Sequence, residues 1–297
     1  MHIGAFDIVE PLPELKDPHV RAMLRPWIDV GGVGHMVLER VERHLNAKDL
    51  GKLVRPSNFY DLTRYRPIVS MVEGERHITV PNTFIRYAQP ESGPDFIFLH
   101  MLEPHLFGED YAESVVKLLE TFHVKRYVSV GGMYDAVPHT RPLQVSGAIP
   151  GGDDVAKRLN VRVRRSNYQG PTSITFIVTQ EAAKRGVESM SLMVHLPQYA
   201  QLEEDFAGVA RLLEILCNFY GLPQALVEAE KGEQQYRQIT SFVSRNPQVR
   251  ALVQQLEAVY DKRMTEQQEE QTTKLAPEVE DFLREMGQRF KDGDGQG

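Results

Sequence analysis

The run Asp95–Met101, DFIFLHM, follows the turn Ser92-Gly93-Pro94 and is almost unbroken apolar sequence. A short segment of that kind suits a central strand covered on both faces. It stops at Glu103-Pro104-His105, after which Tyr111, Val115, Leu118, Leu119 and Phe122 recur at helical spacing. The next stretch, Arg126–Pro142 (RYVSVGGMYDAVPHTRP), opens with Tyr127, Val128 and Val130, a second buried strand. Strand, helix and strand in that order make a βαβ unit, which implies a parallel sheet with helices on its faces. The second strand is expected to stop at Gly131-Gly132 and open into a loop carrying Asp135, His139 and Arg141. In such sheets ligands meet the loops at the carboxyl ends of the strands.

The rest of the chain extends this pattern. Residues 1–19 read as a short strand and a surface connection, and Val20–Trp27 as the first core strand. Ile28-Asp29-Val30-Gly31-Gly32-Val33-Gly34 leads into Val37, Leu38, Val41 and Leu45 at helical spacing. Gly32 and Gly34 resemble the start of a dinucleotide fingerprint, but Val37 takes the place of its third small residue. A tight turn that packs a helix closely on a sheet is the better reading. Lys52–Arg55 reads as a short strand, and Ile68–Val72 with His77–Val80 around Glu73-Gly74-Glu75 as a hairpin.

Leu143–Ile149 is a further strand, and a short helix to Leu159 and a half-exposed strand at Val161–Arg165 follow. Ile174, Ile177, Val178 and Ala182, between Gly170-Pro171 and Gly186, predict a helix in spite of their β-branched content. Ser189–Leu196 is the last core strand. Leu202, Phe206, Val209, Leu213, Leu216 and Tyr220 then mark a long amphipathic helix.

Residues 1–222 are therefore expected to form an α/β core, a three-layer αβα sandwich with a mostly parallel sheet. Beyond them lies sequence with ten Lys/Arg, fourteen Asp/Glu and no strand candidate. Residues 223–291 are expected to be a helical extension and 292–297 a disordered tail. Val249, Leu252, Leu256 and Val259 form one apolar stripe, and Val279, Phe282, Met286 and Phe290 another. Stripes this short need cover from the core or from another subunit, so the extension should shape an oligomer or cap the cleft.

A net charge of −7 argues against nucleic-acid binding. The single cysteine, Cys217, excludes an intrachain disulfide and a cysteine-based zinc site. No run reaches the roughly 18 apolar residues of a membrane span. The opening residues lack the basic and apolar regions of a secretory signal, so a cytoplasmic protein is expected.

Several short motifs occur together in order. They are Trp27-Ile28-Asp29 before the glycine turn, Tyr60-Asp61 with Arg66-Pro67, and Glu103-Pro104. Val137–Pro142, Gly170-Pro171-Thr172 and Val194–Tyr199 complete the set. Over residues 10–222 the chain resembles the proteasome assembly chaperone 2 superfamily, most closely its bacterial branch. The resemblance implies an αβα sandwich similar to the purine nucleoside phosphorylase/hydrolase-like fold. It also implies homo-oligomers and, by analogy with eukaryotic and archaeal relatives, proteasome or other protein-complex subunits as partners. Ring-docking relatives end in a hydrophobic residue, a tyrosine and a final residue. This sequence ends Asp294-Gly295-Gln296-Gly297, a departure from that ending.

Asp29, Glu103, His105, Asp135, His139 and Arg141 all fall just past strand ends and are the candidate cleft residues. Carboxylates and imidazoles there suit acid–base work, and Arg141 suits an anion clamp. Against this, no metal-ligand spacing and no Gly-x-Ser-x-Gly elbow is present. Asp and His in turns also commonly satisfy loop backbone groups. His195 reads as a packing residue at a strand end. Lys157, Arg158, Arg162, Arg164 and Arg165 read as the charged guard of a strand edge. Two functions follow as expectations. The first is a non-enzymatic, assembly-chaperone-like interaction protein without cofactor. The alternative is a hydrolase or phosphorylase acting on a nucleoside-like or anionic small molecule.

Overall fold

Strands and helices share the first 220 residues, but they do not strictly alternate: five strands follow one another between residues 48 and 102 with no α-helix among them. A computed structural model describes residues 1–152, 155, 163–164 and 169–273. In chain order these hold β1 (His2–Ile3), β2 (Phe6–Ile8), β3 (His19–Arg25), α1 (Val33–His44) and β4 (Lys48–Leu53). Next come β5 (Ile68–Val72), β6 (Glu75–Thr79), β7 (Phe84–Ala88), β8 (Phe96–Leu102), α2 (Gly108–Thr121) and β9 (Arg126–Asp135). Then follow β10 (Val145–Ala148), β11 (Val163–Arg164), α3 (Ile174–Lys184), β12 (Glu188–Pro197), α4 (Phe206–Tyr220), α5 (Ala229–Arg245) and α6 (Pro247–Thr273). Two units are distinguished, Met1–Phe242 and Val243–Gly297.

In the first unit the described residues make a ten-stranded sheet of order β1-β2-β4-β7-β8-β3-β9-β12-β10-β11. Its centre, β8-β3-β9-β12, is parallel. Antiparallel β7 and β10 flank that centre. Every residue of β8 is buried, as a strand covered on both faces demands. Alternation along the strands sorts the apolar residues into two cores. Val20, Ala22, Leu24, Ile97 and Leu99 meet Tyr111, Val115, Leu118 and Val178 from α2 and α3 on one face. Met23, Phe98, Val128, Val130, Leu192 and Val194 meet Val37, Leu38, Val209 and Leu213 from α1 and α4 on the other. The fold is thus a three-layer αβα sandwich.

Arg21 breaks that alternation. It is fully buried in β3, its guanidinium lies 3.6 Å from the centre of the Phe96 ring and 4.1 Å from that of Tyr220, and none of its nitrogens has a hydrogen-bond partner. Cys217 on α4 is also buried, and burial pushes its thiol up to about 11, as suits a packed residue.

Several elements differ from the sequence expectation. β9 does not stop at Gly131-Gly132 but runs on to Asp135. The glycines let the segment after β3 press against the strand: a Cβ on Gly131 would collide with the Ile28 carbonyl, which accepts the Gly132 N–H at 2.9 Å. β4 spans Lys48–Leu53 rather than 52–55. β7 was not anticipated, because Arg86 interrupts its apolar run. That charge is met by Glu42 at 2.9 Å and Asp49 at 3.1 Å. Leu202 precedes α4, which begins at Phe206 because the Asp205 carboxylate caps it, accepting the Gly208 N–H at 2.8 Å.

In the second unit α6 is capped by Asn246, whose side-chain oxygen accepts the Gln248 N–H at 3.1 Å. Leu252 and Val259 of the expected stripe are exposed, while Val253 and Tyr260, each one residue on, are buried. The helix to Leu159, the second stripe from Val279 to Phe290 and the tail lie outside the described residues. So do most of the 161–165 segment and its basic side chains. No helix among the described residues is long and apolar enough to cross a membrane.

Candidate functional site

The sequence-derived candidates lie at the carboxyl ends of the parallel strands β3, β8 and β9: five follow a strand and Asp135 is the last residue of β9. Asp29 lies beyond β3 in a bridge to Gly132 of β9. Its Oδ1 accepts the N–H groups of Gly34 at 2.6 Å and His35 at 3.2 Å, which fastens the first turn of α1. Burial raises its carboxyl from the usual 3.8 to about 6, although those two N–H donors and nearby Arg25 pull the other way. Folding therefore favours the protonated acid. The stability this gives is fully present below pH ~3.8 and lost as the pH rises through ~6, amounting to about 3 kcal/mol. Asp29→Asn keeps an acceptor for the cap and removes the titration. The expected outcome is that the wild-type protein loses about 3 kcal/mol relative to the variant between pH 4 and pH 7 in urea unfolding. A constant difference between the two across that window would refute the assignment.

Glu103 and His105 follow β8. Glu103 Oε1 accepts the Ile174 N–H at 3.0 Å at the start of α3. Its Oε2 is buried without a hydrogen-bond partner, and burial raises its pKa. His105 Nδ1 accepts the Asp61 N–H at 3.2 Å and its ring centre lies 4.7 Å from that of Tyr65, holding the 59–65 segment to the strand end. These three side chains are fastenings, each tying a helix start or a loop to the sheet.

Asp135, His139 and Arg141 follow from β9. His139 is buried against the side of α5: its backbone N–H donates to the Tyr199 hydroxyl at 2.8 Å, Nδ1 also meets that hydroxyl, and Nε2 lies 3.0 Å from Thr240 Oγ1. Arg141 Nη1 lies 3.4 Å from the Thr140 carbonyl. The middle of α5 is tied further to the core through Asp205. Its Oδ2 accepts from the Tyr236 hydroxyl at 3.0 Å, while the Gln235 side chain accepts the Phe206 N–H at 3.0 Å. Burial, reinforced by Asp205, holds the Tyr236 phenol well above its usual range, so it stays a donor.

Asp135 belongs to a group that sequence reasoning did not assemble. Its Oδ2 lies 2.7 Å from His195 Nδ1, and His195 Nε2 lies 2.8 Å from Ser146 Oγ. The three residues come from β9, β12 and β10. His195 stands opposite Met133, two residues before Asp135, and Ser146 stands opposite Met193, two residues before His195. All three therefore point to one face of the sheet. A second cluster, also missed, joins Glu42 to Arg86 and to His100, with the His35 ring edge-on to His100 at 5.7 Å. Burial lowers the pKa of His35. Among the described residues no group of three His, Cys, Asp or Glu is placed to hold a metal ion.

Comparison with known proteins places this geometry in context. Residues 23–245 match the model of the PAC2 family. No curated protein matches the chain. A PAC2 family protein from Streptomyces avermitilis superposes with a TM-score of 0.69 at 22% identity, covering 80% of this chain and 100% of its own. A proteasome-assembly chaperone homologue from Mycobacterium tuberculosis gives 0.69 at 21%, covering 79% of this chain and 99% of its own. PbaB from Pyrococcus furiosus, an archaeal proteasome activator, gives 0.61 at 17%, covering 80% and 99%. At these identities the likeness speaks for the fold.

Proposed function

The chain belongs to the PAC2 family, and from that premise we propose that it is an assembly-chaperone-like protein that binds subunits of other complexes and works as a homo-oligomer. Proteasome subunits are the first class of partner to test, since two structural relatives are described as a proteasome-assembly chaperone homologue and a proteasome activator.

The observation that carries the reading is the hairpin β5–β6. Every residue of both strands is exposed, including Ile68, Val69, Met71, Val72 and Ile78. A lone two-stranded hairpin is marginal in water, and a contiguous apolar surface of this kind marks a protein contact. Val69 stands opposite Ile78 and Met71 opposite Arg76, so one face is mostly apolar. Glu73 and Glu75 lie beside Arg76 at the tip. Such a set can complement itself across a two-fold axis, which favours a second copy of the chain as the occupant.

Replacing Ile68–Thr79 by a short Gly-Ser linker should bring the mass in light scattering down to that of a 33.8 kDa monomer. An unchanged mass would remove the hairpin from the interface. Affinity capture of the full chain from its own cells should recover defined subunits of a larger complex, and recovery of this chain alone would count against the assembly role.

A further inference from the structure

We propose that Ser146, His195 and Asp135 form a nucleophilic site that hydrolyses small acyl esters, an activity beyond the interaction role. The order of contacts is the one such chemistry needs. The Asp135 carboxylate faces His195 Nδ1 at 2.7 Å, which holds the ring proton on that side. The opposite nitrogen, Nε2, is left to accept from Ser146 Oγ at 2.8 Å. Nucleophile, base and orienting carboxylate are recognised by geometry and role, not by their order in a chain.

Three further observations separate the group from an ordinary buried polar network. It lies at the carboxyl end of the parallel strands, where the sheet face opens. Met133, opposite His195 in register, is 39% exposed, and the Asp135 side chain is 31% exposed. Gly147 follows Ser146 with φ 146°, and a Cβ there would collide with the Ser191 carbonyl, so the position directly after the serine is closed to other residues. Met133 and Met193 share the face and stand opposite His195 and Ser146 in the two registers. They offer an apolar floor for an acyl chain. Ser146 itself is 7% exposed, which restricts the site to small electrophiles.

In the step proposed, Ser146 Oγ bonds to the acyl carbon as its proton passes to His195 Nε2. The bond to the leaving alkoxide breaks and that oxygen takes the proton from Nε2. Water then attacks the acyl-serine, giving its proton to Nε2, and Ser146 recovers that proton as the carboxylic acid departs. Ester and water become acid and alcohol. Asp135 acts throughout as a positioning residue, facing His195 Nδ1 at 2.7 Å.

The test uses the full chain with a fluorophosphonate probe and with p-nitrophenyl acetate. The expected result is a single adduct by intact mass, mapping to the peptide that holds Ser146, and release of p-nitrophenol. Ser146→Ala should abolish both, and His195→Gln should slow both by about 100-fold or more. Asp135→Asn should slow turnover and shift its pH profile, which a purely structural hydrogen bond would not do. Should Ser146→Ala fail to fold, as circular dichroism would show, the position of the adduct in the wild-type peptide map decides alone. An unlabelled wild-type protein, an adduct elsewhere, or equal labelling of a folded Ser146→Ala would overturn the proposal.

Discussion

Gly131→Val is expected to destabilise the protein by about 4 kcal/mol or more, at the far end of what single substitutions do. Overpacking an interior normally costs about 1–3 kcal/mol because side chains can yield. Here the obstacle is backbone: the Cβ would occupy the position of the Ile28 carbonyl, which also accepts the Gly132 N–H. Relief requires the 26–32 segment to lift off β9, and with it the Asp29–Gly132 bridge. Gly108→Ala is the control, since a Cβ there meets only Ile174 Cδ1 at 3.5 Å, an ordinary contact. Urea midpoints of the two variants measure the contrast. A Gly131→Val protein as stable as Gly108→Ala would show that the close approach is not rigid.

Arg21→Met, by contrast, should stabilise the protein by about 1–4 kcal/mol, the range seen when buried charges give way to apolar residues. Burial pushes the guanidinium down to about 10, so it is still charged at neutral pH. Among the described residues no carboxylate answers that charge. The neighbouring His19 is pushed down to about 4 by burial, Arg126 and Arg21, and is neutral there. What Arg21 gains is two ring faces, worth about 0.5–2 kcal/mol each, against several kcal/mol for taking an ion out of water. Methionine keeps the packing volume and removes the charge. Arg21→Ala leaves a cavity between Phe96 and Tyr220 and should cost about 2–5 kcal/mol. If the methionine variant is the less stable of wild type and itself, the ring sandwich outweighs the burial cost and the assignment is wrong.

The layered fold was legible because periodicity reports which faces are covered. The apolar run at 96–102 and the spacing along α2 and α4 carry enough information for two cores and a parallel centre. What escaped was decided by partners distant in sequence. Gly131-Gly132 reads locally as a strand end, yet its role is set by Ile28, a hundred residues earlier in the chain. Arg86 hides β7 because its charge is excused only by Glu42 and Asp49 on other elements. The six candidate residues were found at the strand ends, as the topology required, but three of them turned out to fasten helix starts and a loop. Ser146 carried no local signal at all. Its relation to His195 depends on the register of β10 on β12, which no spacing in the sequence encodes.

The position of β3 between β8 and β9 has a consequence during synthesis. Neither neighbour is adjacent in the chain, and the nearer one begins roughly 70 residues after Arg25, on the order of 4–14 s of translation at ~5–20 residues per second. Through that interval His-Val-Arg-Ala-Met-Leu-Arg is an unpaired strand emerging among other nascent chains, and apolar segments of this kind are what aggregate. Arg21 interrupts it near the middle. A charge at that position is expected to oppose such association while the strands on either side have yet to be made, at the cost predicted above for the finished sheet.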